Sequence, residues 1–370
     1  MRKLAKFAGI AVLALLILAA IGITFTIGWR PFIGPKTRPL ADRTFERTPQ
    51  RLERGRYLAV AVTGCMGCHS EHDWKNQGAI PPGTEGAGEV MPIAELPGKI
   101  VAPNITPDPE TGAGTWSDDQ LARAIREGIG HDGRALFPMM PYQDFRKMSD
   151  EDLASIIVYL RSLPPIRRSL PSSQIIFPVK YLIRGVPRPL TTAVPARDLS
   201  DPVRRGEYLV TLAGCGGCHT PQVRGQNVPG MNLAGGFTLT GPWGRVASSN
   251  ITPDASGIGY YDESLFLQVM RTGYVKAREL SPIMPVFDFK NMTDDDLKAM
   301  FAYLRTLKPV KHRVDNAEEV SECKLCRQKH GGGKLNYSKM VSLSTRGFVS
   351  ELCLAGGIPP WVIVDSFPQT

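Results

Sequence analysis

Two pentapeptides carry the most specific chemistry in this sequence, Cys65-Met66-Gly67-Cys68-His69 and Cys215-Gly216-Gly217-Cys218-His219. Two thiols one helical turn apart can each form a thioether to a vinyl group of a haem, and the adjacent histidine can offer its imidazole to the iron from the proximal side. An isolated CxxC also serves as a redox disulfide or as half of a zinc site. The full CxxCH, present twice in matched surroundings, points to two covalently attached haem c groups. Cys65, Cys68, Cys215 and Cys218 are then the attachment residues, and His69 and His219 the proximal iron ligands.

A sixth ligand should come from the opposite side of each iron. Both surroundings place a methionine between prolines, Met140 in PMMPY and Met284 in PIMPV. Met139 is a competing neighbour, but it aligns with Ile283, whereas Met140 aligns with Met284. His131 is the runner-up in the first half and has no counterpart in the second. Histidine and methionine together close both axial positions and raise the reduction potential, which suits passing electrons rather than binding oxygen or peroxide.

The surroundings match because one pattern occurs twice. RGRYLAVAVTGCMGCH at 54–69 corresponds to RGEYLVTLAGCGGCH at 205–219, the first copy being one residue longer before its cysteine. NITPD recurs at 104–108 and 250–254, and PMMPYQDFRKMSDEDL at 138–153 matches PIMPVFDFKNMTDDDL at 282–297. Order and spacing are kept, so two homologous domains are expected at 51–165 and 201–310, joined by a basic, proline-containing connector at 166–200. Helical spacing of apolar residues over Arg51 to Thr63 and Arg204 to Ala213 ends at Gly64 and Gly214, residues suited to a left-handed helix end. Ser149 and Thr293 read as N-caps before acidic first turns. Asn104, Thr106, Asn250 and Thr252 could hold a haem propionate or cap their own turns.

On these motifs the chain resembles the class I cytochrome c family. The resemblance implies an all-α fold of two tandem class I cytochrome c domains, with Gly55 near Tyr159 and Gly206 near Tyr303 where first and last helices meet. The combination of CxxCH, NITPD and methionine loop is most similar to the membrane-anchored multihaem cytochrome c subunits of bacterial periplasmic dehydrogenases, including alcohol and gluconate dehydrogenases. It implies electron transfer between redox protein partners: from a dehydrogenase or quinol-linked donor toward quinone or a terminal oxidase. Those subunits commonly carry three CxxCH modules and a C-terminal anchor. Here there are two modules, and the apolar segment is N-terminal.

That segment, Phe7 to Trp29, is uncharged and as a helix would span about 34 Å, enough to cross a bilayer core. Arg2, Lys3 and Lys6 precede it, so residues 1–30 are expected to be a single-pass inner-membrane anchor, with 31–50 a linker and the bulk of the chain periplasmic. A cleaved signal peptide is the alternative, against which the length of the apolar run counts. Export removes nucleic acid as a partner for the net charge of +9, and a 42% apolar content excludes a disordered chain. The surplus is local. Arg167, Arg168, Lys180, Arg184, Arg188 and Arg197 lie in the connector beside Ile175-Ile176-Phe177, a composition suited to anionic lipid, to an acidic redox partner or simply to water.

A third pair, Cys323-Lys324-Leu325-Cys326, lacks the adjacent histidine and falls in a C-terminal tail at 311–370 with Cys353. A disulfide is the first expectation for it in an oxidising compartment, and zinc held with His330 and His312 is the second. Function then divides between a membrane-tethered electron carrier that is not an enzyme, a dihaem peroxidase-like enzyme, and a haem-containing sensor whose tail binds metal. Two matched methionine loops argue against the peroxidase, which needs an open axial position.

Overall fold

Thr48 and Pro49 start the first helix of the first copy. The Thr48 hydroxyl accepts from the Arg51 N–H, and the proline fills the first turn, where no donor is needed. In the computed structural model, which describes residues 2–223 and 225–332, this helix runs Pro49–Tyr57 and continues over Leu58–Val62 as a π-helical turn. The matching helix of the second copy, Pro202–Leu212, is α-helical throughout and capped by Asp201. The π turn takes up the extra residue between Gly55 and Cys65. Its wider bond, from the Thr63 N–H to the Leu58 carbonyl at 2.8 Å, absorbs one position without altering the exit. Both cysteine motifs therefore leave through the same left-handed glycine, Gly64 with φ 58° and Gly214 with φ 66°.

The last helices, Asp150–Ser162 and Asp294–Thr306, begin at the predicted caps: Ser149 accepts from the Asp152 N–H at 3.1 Å and Thr293 from the Asp296 N–H at 3.2 Å. Each packs on the first helix of its own copy at a glycine. A Cβ on Gly55 would lie 1.9 Å from the Ser155 carbonyl oxygen, and one on Gly206 1.9 Å from that of Ala299, with Tyr159 and Tyr303 over the same crossings. Between first and last helices stand Asp118–Glu127 and Glu263–Thr272, then the short helices Tyr142–Phe145 and Val286–Phe289 that follow the methionine loops.

The copies share one core, in which Leu58, Leu121, Ile156 and Leu160 of the first continue into Leu209, Phe266, Leu297 and Leu304 of the second. Equivalent polar contacts cross in both directions. The Tyr208 hydroxyl donates to Asp152 at 2.7 Å and accepts from the Ser149 N–H at 3.0 Å. The Tyr57 hydroxyl does the same with Asp296 and the Thr293 N–H. Arg54 and Arg205 complete each carboxylate's shell from within its own copy.

The expectation of an all-α fold holds only in part, since 38% of the chain is helical. The described residues also carry two-stranded antiparallel ladders, the longest pairing Thr238–Gly241 with Gly244–Ala247, Thr238 opposite Ala247. These lie in the Gly- and Pro-rich loops, whose short strands lack the alternation that would announce them.

At the N-terminus, Arg2–Phe25 is one apolar helix long enough to cross a membrane, with a mean hydropathy of 2.7 and no part of it buried. At the other end, the expected Cys323–Cys326 disulfide is not formed; both cysteines are free. The CxxC turn aims each sulfur at an imidazole instead, Cys323 at His312 (3.4 Å) and Cys326 at His330 (3.0 Å). Cys353 lies outside the described residues.

Candidate functional site

Each CxxCH forms a five-residue helix, Cys65–His69 and Cys215–His219. A carbonyl can only accept, so the contact of His69 Nδ1 with the Pro103 oxygen at 2.7 Å fixes the proton on Nδ1 and leaves the Nε2 lone pair for a metal. His219 repeats this with the Ser249 oxygen at 2.7 Å. Burial pushes both imidazoles below their ordinary value, keeping them neutral. From the other side the Gly88 N–H clasps the His69 carbonyl and the Gly235 N–H that of His219, both at 2.7 Å.

Pro103 and Ser249 immediately precede the two NITPD loops, which explains those loops. Asn104 accepts from the N–H and hydroxyl of Thr106 at 3.0 and 2.7 Å and donates to the Ile166 carbonyl at 2.7 Å. Asn250 does the same with Thr252 (2.9 and 2.8 Å) and the Val310 carbonyl (2.8 Å). Of the two roles open to these residues, the structure shows turn capping. They hold rigid the segment whose carbonyl orients the histidine, and pin it to the chain leaving the last helix.

Burial pushes the motif thiols up: Cys65 to about 11, Cys68 and Cys215 to about 12. A redox CxxC pair works by the opposite shift, toward thiolate. The shift therefore argues against a redox dithiol here.

Cys65, Cys68, His69 and Met140 line one cavity of about 2570 Å³, with Leu121, Ile156 and Leu160 as apolar walls. Met139 reaches it too. Cys218, Ile283 and Pro285 of the second copy line the same space, while Cys215 and Met284 pack half-buried against the common core. The two methionine loops turn alike: Tyr142 N–H donates to the Met140 carbonyl at 2.8 Å, and Val286 N–H to that of Met284 at 2.7 Å. His131, the alternative ligand, is exposed and stacked on Trp116 with ring centroids 4.3 Å apart; Trp116 lines the cavity, but His131 itself does not.

The first motif is roofed by the second copy. Helix Val286–Phe289 lies on Cys65–His69 so closely that a Cβ on Gly67 would come 2.4 Å from Asp288 Oδ2. Asp288 is buried, this oxygen has no hydrogen-bond partner, and burial raises the carboxyl to about 8. Its repeat equivalent Asp144, also raised by burial, acts electrostatically on Cys215. Cys218 likewise acts on Cys68, so the two attachment motifs face each other across the junction. Sequence reading gives Asp288 no mark beyond its repetition as Asp144. His72, buried with Nδ1 2.8 Å from Glu89 and stacked on Trp74 at 4.7 Å, has no repeat partner and no such signal.

The tethered imidazoles, the paired cysteines beside them and the cavity suit a haem held by two thioethers and a histidine. Comparison with known proteins agrees. The cytochrome c family model matches residues 52–164 and 203–308. A nicotinate dehydrogenase subunit of Pseudomonas putida is 33% identical over 309 residues, covering 78% of this chain and 24% of that protein. The cytochrome c subunit of the alcohol dehydrogenase (quinone) of Gluconobacter oxydans is 29% identical over 300 residues, 76% of this chain and 60% of that protein. A diheme cytochrome c-type protein of Cereibacter sphaeroides is 29% identical over 261 residues, 65% of this chain and 81% of that protein. The chain thus spans about a quarter and three fifths of the length of the first two relatives. With both repeats matched and both attachment motifs in place, the chain belongs to the cytochrome c family, and its cofactor is covalently bound haem c.

Proposed function

We propose that the chain is a membrane-anchored dihaem electron carrier, organised as an anchor (1–30), two cytochrome c domains (51–165 and 201–310) and a basic connector (166–200). Haem c supplies a one-electron iron couple. The protein's residues attach it through Cys65, Cys68, Cys215 and Cys218 and close its iron with His69 and Met140 in one domain and His219 and Met284 in the other. The observation that carries this reading is the equivalence of the two histidines, each tethered through Nδ1 to a carbonyl at 2.7 Å and each clasped by a glycine N–H. Met140 is chosen over Met139 because it alone aligns with Met284.

The relay runs between the two facing motifs. Electrons enter from a periplasmic dehydrogenase or quinol-linked donor and leave to a downstream acceptor such as a terminal oxidase. The relatives named as dehydrogenase subunits support the first of these, and the apolar helix Arg2–Phe25 supports placement on the periplasmic face of the inner membrane. No substrate chemistry is assigned to the chain, and nucleic acid is not among its partners.

Spectroscopy tests the ligand set. The ferric protein should show methionine-to-iron charge-transfer absorption in the near infrared from two haems. Met140→Ala and Met284→Ala should each remove about half of it, and the double variant all of it. Full intensity after both changes refutes the assignment. A high-spin haem in the unaltered protein refutes the carrier and favours the peroxidase-like alternative.

A further inference from the structure

Beyond the haem motifs, two more histidines and two more cysteines converge at the far end of the second copy. The ligand atoms of His312, Cys323, Cys326 and His330 all lie within 4.8 Å of one another, and three of these residues are buried. A tetrahedral centre with bonds of about 2.0–2.1 Å to nitrogen and about 2.3 Å to sulfur sets ligand atoms roughly 3.3–3.8 Å apart. The Cys323–His312 contact of 3.4 Å falls in that range and the Cys326–His330 contact of 3.0 Å just below it. We propose that these four side chains hold one structural zinc ion.

The backbone is shaped for such a centre. Ser321–Glu322 and Lys329–His330 pair as an antiparallel hairpin, and the CxxC turn at its tip is closed by the Cys323 N–H on the Gln328 carbonyl (2.8 Å) and the Arg327 N–H on the Cys323 carbonyl (2.9 Å). Arg327 takes the left-handed conformation, φ 58°, that reverses the chain after the second cysteine and returns His330 beside it. His312 arrives from the segment after helix Asp294–Thr306. Its Nδ1 is 2.8 Å from the Ala234 carbonyl, which fixes the proton there and turns Nε2 toward the sulfurs. The two rings meet edge to face at 4.9 Å over Gly236, where a Cβ would fall 2.7 Å from His330 Nε2 and 2.8 Å from His312 Cε1. Met231, Ala234 and Cys326 bury the centre in an apolar cluster of its own.

Charge and protons balance. Two thiols release two protons as two thiolates and two neutral imidazoles bind Zn²⁺, giving a centre of no net charge, which suits that apolar shell. Metal also accounts for two adjacent thiols that stay unpaired. The centre ties the tail to the loop Leu233–Gly235, whose Gly235 N–H holds the His219 carbonyl, so it is a clamp behind the second haem motif. The first copy has no equivalent of these four residues.

Elemental analysis of the full-length haem protein, purified in mild detergent without chelator, tests this. About one zinc per chain is expected besides the haem iron. Cys326→Ser and His330→Ala should each bring zinc close to zero while both haems remain attached. Absence of zinc from the unaltered protein, or a Cys323–Cys326 disulfide seen by peptide mass spectrometry, overturns the proposal. So does full zinc retention in a Cys323→Ser, Cys326→Ser double variant. Because the readout is metal content, it stands apart from the haem assignment. Gly236→Ala keeps all four ligands and fills the cradle, so its zinc content should fall too if the geometry described is the binding geometry.

Discussion

A single buried carboxyl dominates the electrostatics beside the first attachment motif. Asp288 presses on Gly67 from the other copy with one oxygen unpartnered, and its proton is held up to about 8 from an ordinary 3.8. Between those values the folded chain keeps a proton that the unfolded chain has lost, so this group makes stability fall as pH rises through that window. Above about pH 8 the carboxylate appears next to the haem, favours the ferric state and lowers the midpoint potential. Spectroelectrochemical titration should therefore show one haem whose potential falls as pH rises through about 8. Asp288→Asn, which keeps the shape without the charge, should flatten that curve, and an unchanged pH dependence in this variant removes Asp288 from the haem's surroundings. What was legible at this scale follows a physical division. CxxCH is readable because its cysteines and histidine are chain neighbours, and repetition is what singles out Met140 as the candidate sixth ligand. Asp288 and the His312–His330 cluster depend on contacts between distant segments, so one reads as an unremarkable acid and the other first as a disulfide and only second as a zinc site.

Helices tolerate length changes only where their hydrogen bonding can widen, and the two copies differ in this respect. The stretch from Gly55 to Cys65 holds one residue more than that from Gly206 to Cys215, and the π turn Leu58–Val62 takes it up. Deleting Val60, half-buried in that turn, should restore an ordinary α-helix with the spacing of the second copy and leave both haems in place. Deleting Val210 from the regular helix should turn Cys215–His219 by about 100° and abolish attachment at that site. Haem content per chain after alkaline pyridine treatment separates the outcomes, and loss of a haem from the Val60 deletion defeats the account of the π turn. The glycine crossings give a complementary expectation: Gly55→Ala or Gly206→Ala, with a Cβ 1.9 Å from a carbonyl oxygen, should cost about 1–3 kcal/mol or more in thermal unfolding. The helix starts, the glycine exits and these crossings were all legible as caps, φ preferences and repetition. The π turn was visible only as an unexplained extra residue, and the hairpins not at all, because strands this short carry no periodicity.

At the scale of the whole molecule, the copies are joined by exchange of equivalents, Tyr57 to Asp296 and Tyr208 to Asp152, around a common core. Neither tyrosine's partner is readable from its own repeat, since each lies in the other. Where the connector packs bears on what it can do. Several of its cations are already engaged: Arg167 with Glu110, Arg168 with Glu71 at 2.9 Å, and Arg184 with the Pro31 carbonyl at 3.1 Å while lying over the Tyr181 ring. The last contact joins the connector to the residues just beyond the apolar helix, for Val179–Leu182 packs on Arg30–Ile33. Beside that junction Phe32, Ile33, Ile176, Phe177 and Leu182 are exposed, Phe177 to 81%, next to Lys180. Exposed aromatic and aliphatic side chains flanked by cations, adjoining a membrane-length helix, are the composition of a surface that lies in the lipid headgroup layer. Under the proposed anchoring, the connector is expected to contact the bilayer beside the anchor, which a fluorescent probe tests. A polarity-sensitive fluorophore placed by Phe177→Cys should shift to the blue when the full chain is moved from detergent into anionic vesicles. The same probe at the exposed Tyr260 should report water in both. Equal spectra at the two positions in vesicles would show that the connector stands clear of the membrane. Lys180→Glu should weaken the shift at 177 most at low salt, because a headgroup contact of one lysine contributes about 1 kcal/mol and is screened within a Debye length.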